Sequence, residues 1–264
     1  MADGRHRRCP DRPARRCLRR GAAPLVVVAL AAGLLAPPAS GAPGWTPAET
    51  VAAGGGGDVC TPRVALDARG GAVAVWCRQE GATSRVVGAI RPPGGPWQAP
   101  QPLSSAGRDA GSPQVAMDPS GTAIAVWELT LPAETRPQFA VRPAGGGWGP
   151  AADLPANRLE GARSPQIALD ADGSALAAWI DDDAGLTRVV SAVRPAGGTW
   201  GAGERRSASA PDARDALPAL AMLPGGRAVL AWWRGDAGGA HVQAALRDVG
   251  GTWTSARTMD DPGC

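Results

Sequence analysis

The chain has 264 residues with 27 basic and 24 acidic side chains, a net charge of +3. Residues 1–41 contain eight arginines and two aspartates (Asp3, Asp11), which leaves 19 basic and 22 acidic groups, net −3, in everything that follows. A nucleic-acid partner needs a basic face on the folded domain, so none is expected. Every basic residue other than histidine is arginine.

Met1 to Arg20 is basic, the apolar run AAPLVVVALAAGLLA covers Ala22 to Ala36, and Pro37-Pro38 leads into Ala39-Ser40-Gly41. A positive start, a short apolar centre and small residues before a cut form the pattern of a secretory signal peptide. Cleavage is predicted after Gly41 rather than Ala42, because Pro43 would follow the later cut. The apolar run is shorter than the roughly 20 residues of a membrane span, so no membrane association is expected after cleavage. An uncleaved N-terminal anchor is the alternative. Arg15-Arg16-Cys17-Leu18 is a faint match to a twin-arginine export signal in a segment already crowded with arginine. The expected location is extracellular.

Cys9 and Cys17 leave with the signal, so Cys60, Cys77 and Cys264 remain. In an exported protein a nearby pair of cysteines reads as a disulfide rather than a redox or metal site. Cys264 is the odd one out. The remaining chain of about 220 residues is ample for one large core or an array of small sheets.

Beyond residue 60 the sequence repeats. Thr61 begins TPRVALDARGGAVAVW, Ser112 begins SPQVAMDPSGTAIAVW, Ser164 begins SPQIALDADGSALAAW and Leu217 begins LPALAMLPGGRAVLAW. Each is followed by a second signature: VVGAIRPPGGPW, FAVRPAGGGW, VVSAVRPAGGTW and AALRDVGGTW. Three markers, the leading prolines (Pro62, Pro113, Pro165, Pro218) and both tryptophan series (Trp76, Trp127, Trp179, Trp232; Trp97, Trp148, Trp200, Trp253), keep spacings of 51, 52 and 53. A period near fifty signals a solenoid, propeller or array.

Within the third unit, Gln166 to Asp170 is predicted as a first strand and Asp170-Ala171-Asp172-Gly173 as a type I turn. Aspartate bonds nearby amides there and glycine takes a positive φ. Asp118-Pro119-Ser120-Gly121 fits the same turn best, with proline preset at the second position. Ser174 to Trp179 returns as a second strand, Arg188 to Arg194 is a third, and Trp200 onward is a fourth. Four short strands per unit without helical periodicity is the content of a propeller blade. Strands such as ALAAW and AIAVW are apolar at nearly every position, as sheets packed on both faces require. A repeated β-sandwich, whose half-exposed strands alternate apolar and polar, is the runner-up.

The predicted fold is therefore all-β: a β-propeller of about four blades, four antiparallel strands per repeat, plus one extra N-terminal strand. The expected segments are a signal peptide (1–41), an orphan outer strand with linker (42–60) and the four-repeat array (61–264). Trp45 lies 52 residues before Trp97, which makes Gly44 to Ala52 a lone fourth strand. The array is either a closed four-bladed ring with a spare strand or an open arc. An open arc has free edges that invite pairing with another chain, so it predicts an oligomer or a fragment.

The D-x-x-G-x-A-x-A-x-W units followed by R-P-x-G-G-x-W resemble bacterial secreted propeller repeats grouped loosely with sialidase-like proteins. The resemblance runs from Trp45 to Met259. It implies the architecture and no catalytic function, because the sialidase Asp-box S-x-D-x-G-x-T-W is absent. Ala65, Ala116 and Ala168 stand where its serine would be, and no Thr-Trp pair follows the glycine. A sialidase uses a tyrosine nucleophile, and this chain has no tyrosine.

No other catalytic set stands out. His241 is the one histidine after the signal, and no G-x-S-x-G elbow accompanies it. Glycosidases need two carboxylates across a cleft, and no aspartate or glutamate departs from its repeat context. Arg91, Arg142, Arg194 and Arg247 occupy equivalent positions and are expected to pair with turn aspartates such as Asp67, Asp118 and Asp170. In the fourth unit Leu223 replaces that aspartate while Asp248 joins Arg247. Asp170-Ala171-Asp172-Gly173 and Asp181-Asp182-Asp183 faintly suggest calcium, but the sister turns lack the second aspartate that a multi-oxygen cage would need. No metal or cofactor is therefore assigned. Of the ten tryptophans only Trp233 is out of register with the repeat, which makes it the candidate surface contact. Cys60 and Cys77 flank the first hairpin nearly opposite one another, so a hairpin disulfide is expected.

These readings point to an exported, non-enzymatic propeller repeat protein that binds glycan or protein ligands through its loops. A divergent glycosidase or sialidase-like enzyme on the same scaffold, or a propeller fragment without independent function, are the alternatives.

Overall fold

The structure, a computed structural model, describes residues 47–52, 57–156, 161–183, 185–208 and 212–259. The predicted signal peptide, Trp45 and Cys264 lie outside the described residues. The chain divides into two compact units after Ala48, and Glu49 onward forms the second. Of the preceding unit only Pro47 and Ala48 are described, both without regular structure.

Among the described residues every regular element is a strand, and the strands form four antiparallel sheets of four in sequence order. Blade 1 contains β1 (Val59–Leu66), β2 (Ala72–Glu80), β3 (Thr83–Arg91) and β4 (Gln101–Pro102). Blade 2 contains β5 (Asp109–Met117), β6 (Ala123–Thr130), β7 (Thr135–Arg142) and β8 (Ala152–Asp153). Blade 3 contains β9 (Arg163–Leu169), β10 (Ala175–Asp183), β11 (Leu186–Arg194) and β12 (Glu204–Arg205). Blade 4 contains β13 (Arg214–Leu223), β14 (Arg227–Asp236), β15 (Gly239–Arg247) and β16 (Arg257–Thr258). The predicted strands of the four repeats are all present, but the fourth is only two residues long in each blade. It begins four residues after the second tryptophan in every blade.

The cores lie between blades. Each blade has a near face toward the preceding blade and a far face toward the following one, and period-two alternation assigns residues to them. Val75, Val86 and Leu103 of blade 1 meet Ala125, Trp127 and Ala140 of blade 2. Ile124 and Val126 of blade 2 meet Ala177, Trp179 and Val190 of blade 3. Ala178, Ile180 and Val189 of blade 3 meet Leu230, Trp232 and Ala245 of blade 4. The first tryptophans of blades 2, 3 and 4 thus each fill the gap to the blade before, as a spacer should. The second tryptophans reach back in the same direction: Trp200 stacks edge-on against Phe139 of blade 2, with centroids 5.7 Å apart. Gly88 is small because a Cβ there would lie 3.1 Å from the indole nitrogen of Trp148.

The array is an open arc. The inner strands pack in series, β1 on β5, β5 on β9 and β9 on β13, with no comparable packing of β13 on β1. Val64 and Leu66 on the near face of blade 1 are exposed, as are Val229, Trp233, Val242 and Leu246 on the far face of blade 4. The closed four-bladed ring is thereby replaced by the other alternative. The orphan-strand expectation is also modified: residues 47–52 belong to no strand, because no third strand lies beside them to complete the ladder.

Candidate functional site

Where the four inner strands begin, each carries the same β-bulge. Thr61 and Pro62 together oppose Trp76, and Ser112-Pro113, Ser164-Pro165 and Leu217-Pro218 oppose Trp127, Trp179 and Trp232 in the same way. The first bulge residue has a positive φ in every case: 43° at Thr61, 50° at Ser112, 53° at Ser164 and 51° at Leu217. Non-glycine residues resist this conformation at a cost of about 1–3 kcal/mol. Proline suits the second position because a bulge leaves its missing N–H unneeded.

The four bulges converge on an axial cleft of about 250 Å³, lined by Thr61, Arg63, Ser112, Gln114, Ser164 and Gln166 together with Pro113, Pro165, Leu217 and Pro218. Arg63 donates from Nε to Gln114 Oε1 at 3.0 Å and from Nη1 to the carbonyl of Pro62 at 3.1 Å. The amide of Ser164 is held by Glu128 Oε1 at 2.5 Å. The lining offers a guanidinium, amides and hydroxyls, and no carboxylate among the described residues. Its volume lies below the roughly 300–1,000 Å³ of ordinary ligand pockets, which suits the end of a chain or one ring rather than a large ligand. Gln114, Gln166 and Arg63 follow the bulge proline directly, so their shared place in the repeat was visible in the sequence; their convergence on one cleft was not.

A second polar cluster lies at the junction of blades 3 and 4. The cross-strand pair that is Ala110 and Leu129 in blade 2 becomes Asp215 and Arg234 in blade 4. Asp215 and Arg234 are buried and lie 3.3 Å apart, with buried Arg188 and Ser207 beside them. Thr187 Oγ1 donates to the Asp215 carbonyl at 2.7 Å, and Arg188 Nη1 donates to the Ala213 carbonyl at 3.1 Å. Burial pushes the Asp215 carboxyl above its usual range, opposed by Ser207, Arg234 and Arg188.

Trp233, the candidate surface contact, does not line the axial cleft. It sits 39% exposed on the far face of blade 4, at the position that Cys77, Glu128 and Ile180 hold in the other blades. His241 Nε2 lies 3.7 Å from Asp236 Oδ2. The amide of Gly238, then Arg234, hold the Asp236 carboxyl below its usual range. The Cys60–Cys77 disulfide is formed, with Cα atoms 5.1 Å apart and the two residues directly paired across β1 and β2.

Carbonyl oxygens, and not the expected direct ion pairs with turn aspartates, take the hydrogen bonds of three of the four equivalent arginines. Arg142 Nη1 donates to Gly121 O at 2.8 Å, Arg247 Nη1 to Gly226 O at 2.5 Å, and Arg91 Nε to Gly95 O at 3.0 Å. The aspartates are occupied elsewhere: Asp118 Oδ1 accepts the amides of Ser120, Gly121 and Thr122 at 2.8, 2.9 and 3.0 Å. Asp248 likewise accepts the Thr252 amide at 2.8 Å instead of serving Arg247. Asp67 lies near Arg142 from the preceding blade and favours its charge, while burial opposes it. In the Asp170–Gly173 turn, Asp170 Oδ1 holds the Ala171 amide at 2.6 Å and Asp172 Oδ1 the Ser174 amide at 2.7 Å.

No family description matches this sequence, and no curated protein does. Solved structures do. A protein of unknown function from Dyadobacter fermentans matches with TM-score 0.53 at 15% identity, over 78% of this chain and 70% of that one. An α-L-arabinofuranosidase from Fusarium graminearum, solved with an iminosugar inhibitor, matches with TM-score 0.51 at 16% identity, over 76% of this chain and 66% of that one. An α-L-arabinanase from Penicillium chrysogenum, solved with arabinobiose, matches with TM-score 0.51 at 15% identity, over 78% of this chain and 67% of that one. At such identities the likeness shows the fold alone. The chain is an all-β protein built of propeller blades, the architecture of these glycosidases, and it spans 66–70% of the length of these three structures.

Proposed function

We propose that the chain is an exported, non-enzymatic propeller repeat protein that binds a ligand at the axial cleft and the loops around it, and that the ligand is a glycan. The carrying observation is the lining of that cleft. Arg63, Gln114, Gln166 and the bulge hydroxyls present directional donors and acceptors suited to sugar hydroxyls. Hydrolysis by the ordinary route needs two carboxylates flanking the bond, and none lines the described cleft. Protein ligands are the lesser reading, because a cleft of about 250 Å³ receives a ring or a chain end more readily than a folded surface. The test is a glycan array probed with the wild-type chain and with Arg63→Ala/Gln114→Ala. Signal on a defined sugar class that falls about ten-fold or more in the double variant is expected. A folded wild type that binds no glycan would sink the reading.

A divergent glycosidase is the second reading. It is supported by the fold shared with an arabinofuranosidase and an arabinanase. Release of reducing ends from arabino-oligosaccharides by the purified chain would favour it. Export itself rests on the N-terminal pattern, and mass spectrometry of secreted protein beginning at Ala42 checks it.

A further inference from the structure

Between blades 1 and 2, at the turn end of the inner strands and away from the bulges, lies a separate cavity of about 320 Å³. Its charged lining is Asp67, Arg69 and Arg91 from blade 1 and Arg142 from blade 2, three guanidinium groups against one carboxylate. Arg69 is exposed and stands where blades 2 and 3 have Ser120 and Asp172, so this added charge belongs to the first junction alone among the three turns. The volume falls in the range of ordinary small-ligand sites, roughly 300–1,000 Å³.

Two polar atoms of this lining are left over once the hairpins are built. Arg142 is 7% exposed and donates from Nη1 to Gly121 O, yet its buried Nε has no hydrogen-bond partner. A buried donor in that state is costly and calls for an acceptor. Burial also holds this guanidinium below its usual range, with Asp67 opposing. Arg91 commits Nε to Gly95 O, which leaves its terminal nitrogens for the cavity.

Asp67 supplies the second atom. Its Oδ1 accepts the amides of Arg69 and Gly71 at 2.8 and 2.7 Å. Its Oδ2 lies on the side of Gly121, 3.2 Å from where a Cβ on that residue would stand. At the junction of blades 3 and 4 the equivalent oxygen, Asp170 Oδ2, takes the Gly226 amide. Here the equivalent amide, that of Gly121, is turned back to Asp118 Oδ1 at 2.9 Å. Asp67 Oδ2 therefore keeps an accepting position toward the cavity.

A ligand matched to this set brings negative charge for three guanidinium groups and one O–H for Asp67. Hydrogen phosphate has both at neutral pH, whereas sulfate has the charge and no proton. We propose that the cavity between blades 1 and 2 binds inorganic phosphate, whose oxygens accept from Arg142 Nε, Arg91 and Arg69 and whose hydroxyl donates to Asp67 Oδ2. Arginine suits this role because its planar fork of donors matches phosphate oxygens. Side chains of both blades hold the ion, so occupancy ties blade 1 to blade 2 and raises stability. The site is independent of the axial cleft and of glycan binding there.

Calorimetric titration of the purified chain at neutral pH with phosphate, sulfate and glycerol 1-phosphate tests the proposal, with ionic strength held by sodium chloride so that screening is constant. Phosphate is expected to saturate one site and to raise the melting temperature. Sulfate and the monoester should bind about ten-fold or more weakly, since a phosphate monoester loses its last proton above about pH 6. Arg69→Ala/Arg91→Gln should weaken phosphate by about ten-fold or more, as loss of charge-assisted hydrogen bonds does. Arg108→Ala, which removes an exposed arginine elsewhere, should leave the affinity unchanged. Asp67→Asn should abolish the preference for phosphate over sulfate. Absence of saturable phosphate binding in the millimolar range would mean that water alone fills the cavity, and it overturns the proposal. Equal affinity of the wild type for sulfate, or phosphate binding indifferent to the arginine pair, overturns it as well.

Discussion

Asp170 of blade 3 accepts a hydrogen bond through Oδ2 from the amide of Gly226 in blade 4, at 2.6 Å. The same carboxylate holds its own turn through Oδ1, so one side chain both shapes a hairpin and ties it to the next blade. Earlier junctions repeat the approach: a methyl added to Gly121 or Gly173 would lie 3.2 Å from Asp67 Oδ2 or 3.4 Å from Asp118 Oδ2. Gly226 needs its φ of 77° to present this amide. The last unit has Leu223 in place of the aspartate, where no blade follows. Asp170→Ala should destabilise the array by about 1–3 kcal/mol, the loss of hydrogen bonds to a partly buried charge. Asp170→Asn, which keeps one accepting oxygen, should cost roughly half as much. Leu223→Asp should change the urea midpoint little. Equal effects at positions 170 and 223 would contradict the inter-blade role.

Trp179 and Trp233 separate packing from exposure. Trp179 is fully buried between blades 2 and 3, whereas Trp233 is 39% exposed at the open end. Trp179→Ala should cost about 3–5 kcal/mol, the usual penalty for emptying a buried aromatic site. Trp233→Ala should cost under about 1 kcal/mol, as surface substitutions do. Urea denaturation followed by circular dichroism reads both.

The disulfide closes a hairpin with its cysteines 17 residues apart. Loops of about 15 residues gain roughly 3 kcal/mol from cross-linking in the chain-entropy view. Reduction, or Cys60→Ser/Cys77→Ser, should therefore lower the melting temperature. Alkylation of the unreduced chain should leave Cys60 and Cys77 unmodified. Labelling of both without reductant would contradict the bridge.

Much of this architecture was legible in the sequence because its causes are local. Aspartate and glycine at fixed turn positions, proline before each inner strand and apolar runs of five residues specify hairpins whatever surrounds them. The direct pairing of Cys60 with Cys77 followed from counting outward from a turn. The partners of Arg142 and Arg247 were not legible. Charge suggested the aspartates, but the turn carbonyls lie closer and the carboxylates are filled by amides. Trp233 reads in the sequence as a lone surface aromatic because its place in the repeat does not show which face it takes. Only the packed array reveals that its counterparts Cys77, Glu128 and Ile180 look toward a following blade. The axial lining was hidden for a similar reason: convergence of Arg63, Gln114 and Gln166 depends on the curvature of the arc, which no single repeat encodes.

Asp215 gives the array a pH response opposite in sign to that of its surface carboxylates. Glu80, hydrogen-bonded by Arg78, and Asp236, held by the Gly238 amide, have lowered folded values. Their contribution is present above the unfolded carboxyl range and is lost as pH falls through the folded value. Asp215 is raised by burial above its ordinary 3.8. Between the unfolded and folded values the native chain then binds more protons than the unfolded chain, so this group's contribution declines as pH rises through that window. The stability of the wild type relative to Asp215→Asn, whose side chain does not titrate, should therefore be greatest near pH 3 and should fall as pH rises above the carboxyl range. Thermal melts of both chains from pH 3 to 7 read the difference. A wild-type advantage that grows with pH would mean that Arg234 and Arg188 outweigh burial at this site.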